Sequence, residues 1–130
     1  MDFRELTIKT STREELIDIT LNIQNEVTQS NIQDGIIHIW IPHTTAAVTI
    51  NENADSDVQR DIIYALKKIV PNFPEFTHSE GNSDAHLKSS LIGCKQDVLV
   101  RNGKLLLGTW QGVFFCEFDG PRTRRINIGI

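Results

Sequence analysis

The chain has 130 residues, of which 39% are hydrophobic and 23% are charged, and its formal net charge is −4 at pH 7. This acidic balance argues against a general nucleic-acid binder, which would carry a basic face, and no run of about eighteen apolar residues indicates a membrane span. We therefore expect a single cytoplasmic domain over residues 1–130, in which Cys94 and Cys116 are reduced and act as small buried hydrophobic residues.

The first fifty residues predict strands on either side of one helix. A partly alternating run over Phe3–Thr10 predicts a strand, whereas Glu15–Ile19 fits either a second strand or the start of a helix. From Thr20 the apolar residues recur at helical spacing, and the Asp-Gly pair at 34–35 ends the predicted helix. Gly35–Ile41 and Ala46–Ile50 are rich in β-branched residues and predict two strands, separated by a proline that cannot continue a central ladder.

Two further helices are predicted in the middle of the chain. Asp55 or Ser56 is placed to cap a helix with one apolar face, which ends near Ile69 because two prolines follow. A Gly-Asn turn then leads into a short helix that would run to about Ile92. The glycine after it stands where a helix C-cap is expected.

The last third of the chain predicts a β-hairpin and two more strands. Gln96–Arg101 and Lys104–Thr109 flank Asn102-Gly103, a pair typical of a type I′ hairpin turn. Trp110–Phe118 and Arg124–Ile130 are predicted strands joined by an Asp-Gly-Pro-Arg turn. The whole pattern indicates about seven strands and three helices.

Three histidines lie in predicted loops, at a strand break or in the first turn of a helix. His43 separates two strands, and His78 and His86 lie on either side of the turn before the third helix. Three neutral imidazoles make a zinc-type ligand set that leaves one position for water or substrate. Glu80 is a candidate general acid or base, or a partner that orients an imidazole. Sequence spacing brings His78 and His86 together only if the loop folds back, and the alternative is a capped loop with two solvated histidines.

A second group of side chains suits the binding of phosphate. The candidate substrate contacts are Thr44, Asn51, Lys88 and Arg122. Arg122 follows a Gly-Pro pair whose turn would fix the direction of its guanidinium, and such a fork matches phosphate oxygens two at a time. Arg124 and Arg125 are instead expected to be solvated at a strand end. None of the HExxH, paired CxxC, P-loop or nucleophile-elbow motifs occurs.

Three blocks of the sequence, in this order, resemble motifs of the YjbQ family, which is named for secondary thiamine-phosphate synthase. The blocks are His43–Glu52, the stretch from His78 to Gly93, and Leu107–Gln111 running on to Glu117–Arg124. The resemblance implies an α+β fold of two packed, mostly antiparallel β-sheets, sandwich-like, with about three helices. It also implies a homotrimer with a pocket near the subunit interface.

The same resemblance implies a function. The motif histidines correspond to His43, His78 and His86, which are expected to bind a divalent metal, with zinc the expected ion and magnesium an alternative that a pyrophosphate substrate would bring. The implied activity is a weak thiamine-phosphate synthase, which joins a pyrimidine pyrophosphate to a thiazole phosphate and releases pyrophosphate. His78, His86 and Glu80 are the catalytic candidates. The alternatives are a metal-dependent phosphate-ester hydrolase and a non-catalytic trimer that binds a small ligand or anion.

Overall fold

The computed structural model describes every residue from Met1 to Ile130 and contains three helices and eight strands. The helices are α1 (Thr20–Ser30), α2 (Ser56–Ile69) and α3 (Ser83–Ile92). The strands are β1 (Phe3–Lys9), β2 (Glu15–Asp18), β3 (Gly35–Trp40), β4 (Ala46–Glu52), β5 (Lys95–Arg101), β6 (Lys104–Leu105), β7 (Gln111–Glu117) and β8 (Thr123–Gly129). None of the three helices is long and apolar enough to cross a bilayer.

The strands form two sheets in which every pairing is antiparallel, so the predicted α+β fold of two antiparallel sheets is confirmed. The larger sheet has the order β1-β8-β3-β5-β6, and the smaller has the order β2-β7-β4. The predicted hairpin turn joins β5 to β6, with positive φ angles of 52° at Asn102 and 73° at Gly103. Both angles are those that a type I′ turn requires.

One predicted alternative is resolved and one predicted element differs. The segment at Glu15–Asp18, for which strand and helix start were both open, is a strand that pairs with β7. The predicted strand Lys104–Thr109 covers only Lys104–Leu105. The chain leaves the sheet there because Gly108 N–H donates to the Gln111 side chain at 2.8 Å and Gln111 N–H donates back to the Gly108 carbonyl at 3.0 Å. These bonds close a turn where the sequence pattern had favoured a continued strand.

Alternation along the strands explains how the layers pack. On β7, Val113 and Phe115 point into the main core between the two sheets, while Cys116 points to the opposite face. Two side chains of α1, Ile23 and Val27, complete the main core. The second, smaller cluster packs the outer face of the three-stranded sheet against α2 and α3. The three-stranded sheet therefore lies between the larger sheet and these two helices.

This arrangement brings three connections to one end of the domain. Ala46, the first residue of β4, pairs with Glu117 at the end of β7, so the β3–β4 loop lies beside the β7–β8 turn. Ser89 of α3 donates a hydrogen bond of 2.6 Å to the Ala46 carbonyl, which fixes α3 against the same end of the sheet. The loop that precedes α3 therefore lies next to both connections.

Candidate functional site

A polar pocket of about 430 Å³ lies where these three connections meet. We call it the histidine pocket, and its lining residues are Pro42, His43, Thr44, Thr45, His78, Glu80, Asn82, His86, Asp119, Arg122 and Arg124. None of them is hydrophobic. The pocket therefore unites the three predicted histidines with the predicted Glu80, Thr44 and Arg122.

The loop before α3 folds back, which is the condition under which His78 and His86 can meet. Gly81, at φ 73°, closes a turn in which its N–H donates to the His78 carbonyl at 3.0 Å. His78 thereby faces His86 on the first turn of α3, with ring centroids 5.3 Å apart and planes at 86°. The two imidazoles are neighbours in one pocket, with His86 half-buried and His78 exposed to solvent.

His43 is held by the backbone of the neighbouring strand. Its Nε2 accepts a hydrogen bond of 2.9 Å from the Arg125 backbone N–H. Burial, with the positive charges of Arg124 and Arg125, lowers the pKa of His43 below the ordinary value. The ring is therefore neutral at pH 7, and because Nε2 uses its lone pair on Arg125, the proton lies on Nδ1. His43 can offer a neutral N–H donor to a ligand.

We expect nuclear magnetic resonance of ¹⁵N-labelled histidine to show His43 as the Nδ1–H tautomer, with a pKa below about 6.5. The lowered pKa of His43 also determines how its contribution to the free energy of unfolding changes with pH. Between the two pKa values the unfolded chain binds more protons, so this contribution is present above the unfolded pKa and is lost as the pH falls towards the folded pKa. An Nε2–H tautomer, or titration at or above the ordinary pKa, would contradict the geometry.

Arg122 is oriented by its own turn. Its Nε donates to the Asp119 carbonyl at 2.9 Å and its Nη2 donates to the Asp119 carboxylate at 3.1 Å. Neither contact uses Nη1, whose two N–H groups suit a phosphate oxygen.

Asn82 donates from Nδ2 to the Asp119 carboxylate at 2.8 Å, and its Oδ1 is the one buried side-chain polar atom without a partner. An unpaired acceptor of this kind is stabilised when a ligand or water donates to it.

A buried ion pair supports the floor of the pocket. Arg124 is 3% exposed and donates to both carboxylate oxygens of Glu117, at 2.9 Å from Nε and at 2.5 Å from Nη2. Its Nη2 also donates to the Thr45 hydroxyl at 2.8 Å, and Thr10 donates to Glu117 at 2.7 Å. The prediction that Arg124 is solvated is therefore wrong, because the alternation of β8 turns this side chain inward. Arg125, one residue on, is exposed as predicted.

The two remaining substrate candidates lie away from the pocket. Asn51 is near the far end of β4, roughly 20 Å along the strand from Thr45. Lys88 is 2% exposed and lies on another side of α3 from His86, in contact with the carboxylates of Glu14 and Asp84. Its charge is neutralised inside the protein, so it does not reach a ligand in the histidine pocket.

The donor set fits a metal ion only in part. Two imidazoles bound to one tetrahedral ion at about 2.0–2.1 Å place their ring centroids roughly 5 Å apart, and His78 and His86 agree with this. His43 does not fit as placed, because Nε2 is engaged by Arg125 and Nδ1 carries the proton. No group of three or more His, Cys, Asp or Glu side chains is arranged to hold a metal. The three-histidine metal site therefore stays a prediction.

Comparison with known proteins finds relatives over nearly the whole chain. Residues 4–130 match the family described as UPF0047 protein YjbQ-like. The chain is 57% identical to the UPF0047 protein MJ1081 of Methanocaldococcus jannaschii, over 95% of this chain and 89% of that protein. It is 51% identical to the UPF0047 protein YugU of Bacillus subtilis, over 96% of each.

Solved structures agree with the fold. A crystal structure from Clostridium acetobutylicum, of an uncharacterized conserved protein of the YjbQ/UPF0047 family, has a TM-score of 0.95 and 50% identity over 98% of both chains. A YbjQ-like protein of unknown function from Sulfolobus solfataricus has a TM-score of 0.93 and 35% identity, over 98% of this chain and 94% of that one. These names describe a family and a fold and assign no reaction.

Proposed function

The chain belongs to the YjbQ-like UPF0047 family, and from the side chains of its histidine pocket we propose that it is an enzyme acting on a phosphorylated small molecule. The observation that carries the proposal is one pocket in which two facing imidazoles, His78 and His86, lie beside the guanidinium of Arg122. Such a pocket offers both proton-transfer groups and an anion-binding group. The best label for the reaction is thiamine-phosphate synthase.

The phosphate end of the substrate is assigned to the Arg122 side of the pocket. Asp119 holds the Arg122 guanidinium so that Nη1 stays free for a ligand. Asn82, at the start of α3, also lines this side, so the backbone N–H groups and positive dipole of the helix N-terminus add to the attraction for an anion. Thr44 and the Nδ1–H of His43 are neutral donors at the same pocket.

The thiamine-phosphate synthase reaction needs charge stabilisation more than proton transfer. The bond between the pyrimidine's carbon and the pyrophosphate oxygen breaks, and its electron pair leaves with pyrophosphate while the thiazole nitrogen bonds to that carbon. Arg122 would stabilise the departing charge, and His78 and His86 lie beside it in the same pocket. Glu80, which is exposed at the rim of the pocket, is the candidate acid or base. These roles stand as proposals for individual variants to test.

We also propose a divalent ion at His78 and His86, with zinc the expected ion and magnesium the ion that a pyrophosphate substrate would bring. Their centroid separation of 5.3 Å supports two imidazole ligands on one ion. Bound there, the ion would polarise a phosphate oxygen as a Lewis acid. His43 would become the third ligand only by giving up its hydrogen bond from Arg125.

The Arg122→Ala variant tests the phosphate assignment. We expect it to weaken the binding of inorganic pyrophosphate by about ten- to a hundredfold, because a charge-assisted hydrogen bond contributes about 1.5–3 kcal/mol. Isothermal titration calorimetry measures the Kd. Arg60→Ala is the matched control, because Arg60 is exposed on α2 and outside the pocket, and its Kd should equal that of the wild type. Equal binding by Arg122→Ala would sink the assignment.

We propose in addition that the chain forms the homotrimer that the family resemblance implies. The outer face of the five-stranded sheet supports this, because Phe3 and Trp40 are 80% and 50% exposed around a concavity of about 660 Å³. Exposed aromatic side chains gathered at one concavity, with Arg4, Glu5 and Lys95 at the same place, suit a contact between protein subunits.

A charge on this face should disrupt the assembly. We expect Trp40→Glu to shift the sedimentation mass from three chains towards one, because a carboxylate would have to be buried in the contact. Trp110→Glu is the control, since Trp110 is also exposed but lies outside the sheet. A Trp40→Glu protein that stays trimeric would remove this face from the interface.

A further inference from the structure

A second cavity, of about 460 Å³, adjoins the histidine pocket. We call it the serine cavity, and its lining residues are His43, Thr44, His86, Ser89, Ser90, Gly93 and Cys94. Three of these residues, His43, Thr44 and His86, also line the histidine pocket. The imidazoles of His43 and His86 therefore lie at the boundary between two cavities, each of the size of a small-ligand pocket.

The two cavities differ in chemistry. The histidine pocket contains Arg122 and carboxylates, whereas the serine cavity adds no charged side chain to the residues it shares. Its own wall is made of small groups. Ser89 is engaged with the Ala46 carbonyl, and Gly93 has open space where a Cβ would stand. The serine cavity therefore suits an uncharged group, because it has no cationic side chain of its own to pair with a second phosphate.

The wall of the serine cavity is also fixed in place. His86, Ser90 and Gly93 follow one another at helical spacing, so one face of α3 forms the wall. The Gly93 carbonyl accepts from Val48 N–H at 3.1 Å and the Cys94 carbonyl accepts from Ile41 N–H at 2.8 Å. The end of this wall is thus bonded to β4 and to the residue that follows β3.

We propose that the two cavities are subsites of one substrate, with the phosphate group in the histidine pocket and an uncharged organic group in the serine cavity. This inference rests on the proposed function and names its substrate class, a phosphate or pyrophosphate monoester with a small uncharged organic group. The ester bond between the phosphate group and the organic group lies at the shared residues His43, Thr44 and His86. Ser90, which is exposed on the cavity wall, then determines how large the organic group can be.

Two probes separate the subsites, inorganic phosphate for the first and phenyl phosphate for both. We expect the wild type to bind phenyl phosphate about tenfold or more tightly than inorganic phosphate, because a buried apolar group adds affinity. Ser90→Phe should remove about tenfold of the phenyl phosphate affinity and leave inorganic phosphate binding unchanged. Leu91→Phe is the matched control, because Leu91 is the next residue of α3, is exposed and lines neither cavity.

A second measurement needs no variant. Cys94 lines the serine cavity, while Cys116 is 1% exposed and burial raises the pKa of its thiol to about 12. Iodoacetamide should therefore alkylate Cys94 alone, and mass spectrometry follows the rate. We expect phenyl phosphate to slow this alkylation and inorganic phosphate to leave it unchanged.

The outcomes distinguish the two levels of the proposal. Wild-type protein that binds inorganic phosphate, but binds phenyl phosphate no more tightly and leaves Cys94 alkylation unchanged by it, would overturn the two-subsite inference and leave the proposed function standing. Protein that binds neither probe would overturn the proposed function itself. Tighter phenyl phosphate binding with protection of Cys94 supports both.

Discussion

The Glu117→Ala variant is expected to lose about 3–5 kcal/mol of the free energy of unfolding. Glu117 is fully buried and is the counter-ion of Arg124, so its removal leaves an unpaired guanidinium inside the inter-sheet core. Thr10 also loses the shorter of its two hydroxyl contacts, the 2.7 Å bond to Glu117, and keeps the Arg122 carbonyl at 3.1 Å. Urea denaturation monitored by circular dichroism measures the loss.

Glu5→Ala provides the control for that comparison. Glu5 is an exposed carboxylate on β1, 3.8 Å from an exposed Arg125, so its removal should change the free energy of unfolding by less than about 0.5 kcal/mol. A Glu117→Ala protein as stable as Glu5→Ala would show that the ion pair adds nothing to the fold. Because Arg124 also holds the Thr45 hydroxyl, that result would remove the stated support for the pocket floor.

The second large effect is expected on turnover. His86→Gln should lower the rate of pyrophosphate release from the pyrimidine pyrophosphate and thiazole phosphate pair by about 10²–10³-fold, because glutamine can hydrogen-bond but cannot replace the imidazole as a ligand of the proposed divalent ion, which would stabilise the departing charge. His86 is placed for this role because it lies opposite His78 and lines both cavities. Steady-state kinetics measures the loss.

His38→Gln is the matched control for the kinetic test. His38 lies on the outer face of the five-stranded sheet, where its Nδ1 is 2.7 Å from the Asp97 carboxylate, and it is outside the histidine pocket. Because His38 also lines the concavity with Phe3 and Trp40, the sedimentation mass of His38→Gln is first compared with that of the wild type. At equal mass, its turnover should match the wild type. Equal losses in the two variants would mean that the effect of His86→Gln is structural, and an unchanged rate in His86→Gln would remove it from the catalytic residues.

The fold was predictable because most elements carry local signals. Alternation identified β1, the Asn102-Gly103 pair identified the hairpin, and the apolar face with following prolines identified α2. The failure at Lys104–Thr109 is different, since β6 ends at Leu105 and the Gln111 side chain holds the following turn by accepting from Gly108 N–H. A side-chain hydrogen bond of this kind leaves no periodic signal.

The candidate site was predictable in its residue types and less so in its geometry. The Gly-Asn pair at 81–82 indicated a turn, but the sequence did not show that this turn places the rings of His78 and His86 5.3 Å apart. Lys88 suggested phosphate binding, but its position on α3 directs it to Glu14 inside the protein. Helical position relative to His86 could have separated them, because residues two apart on a helix do not share a face.

The buried pair of Glu117 and Arg124 could have been predicted from the alternation of their strands. Glu117 stands near the end of the apolar run Val113–Phe118, and Arg124 alternates in phase with the core residues Ile126 and Ile128. Opposite charges at inward-facing positions of two strands that a tight turn joins predict a buried ion pair. Backbone contacts such as Arg125 N–H to His43 remained beyond prediction, because they depend on how the loop packs against the sheet edge.

The most direct test of the proposed function is the release of pyrophosphate by the purified wild-type chain from the pyrimidine pyrophosphate and the thiazole phosphate, with divalent metal present. We predict release that requires both substrates and that falls in Arg122→Ala and His86→Gln. No release above the rate without protein, or equal release by the wild type and His86→Gln, would contradict it.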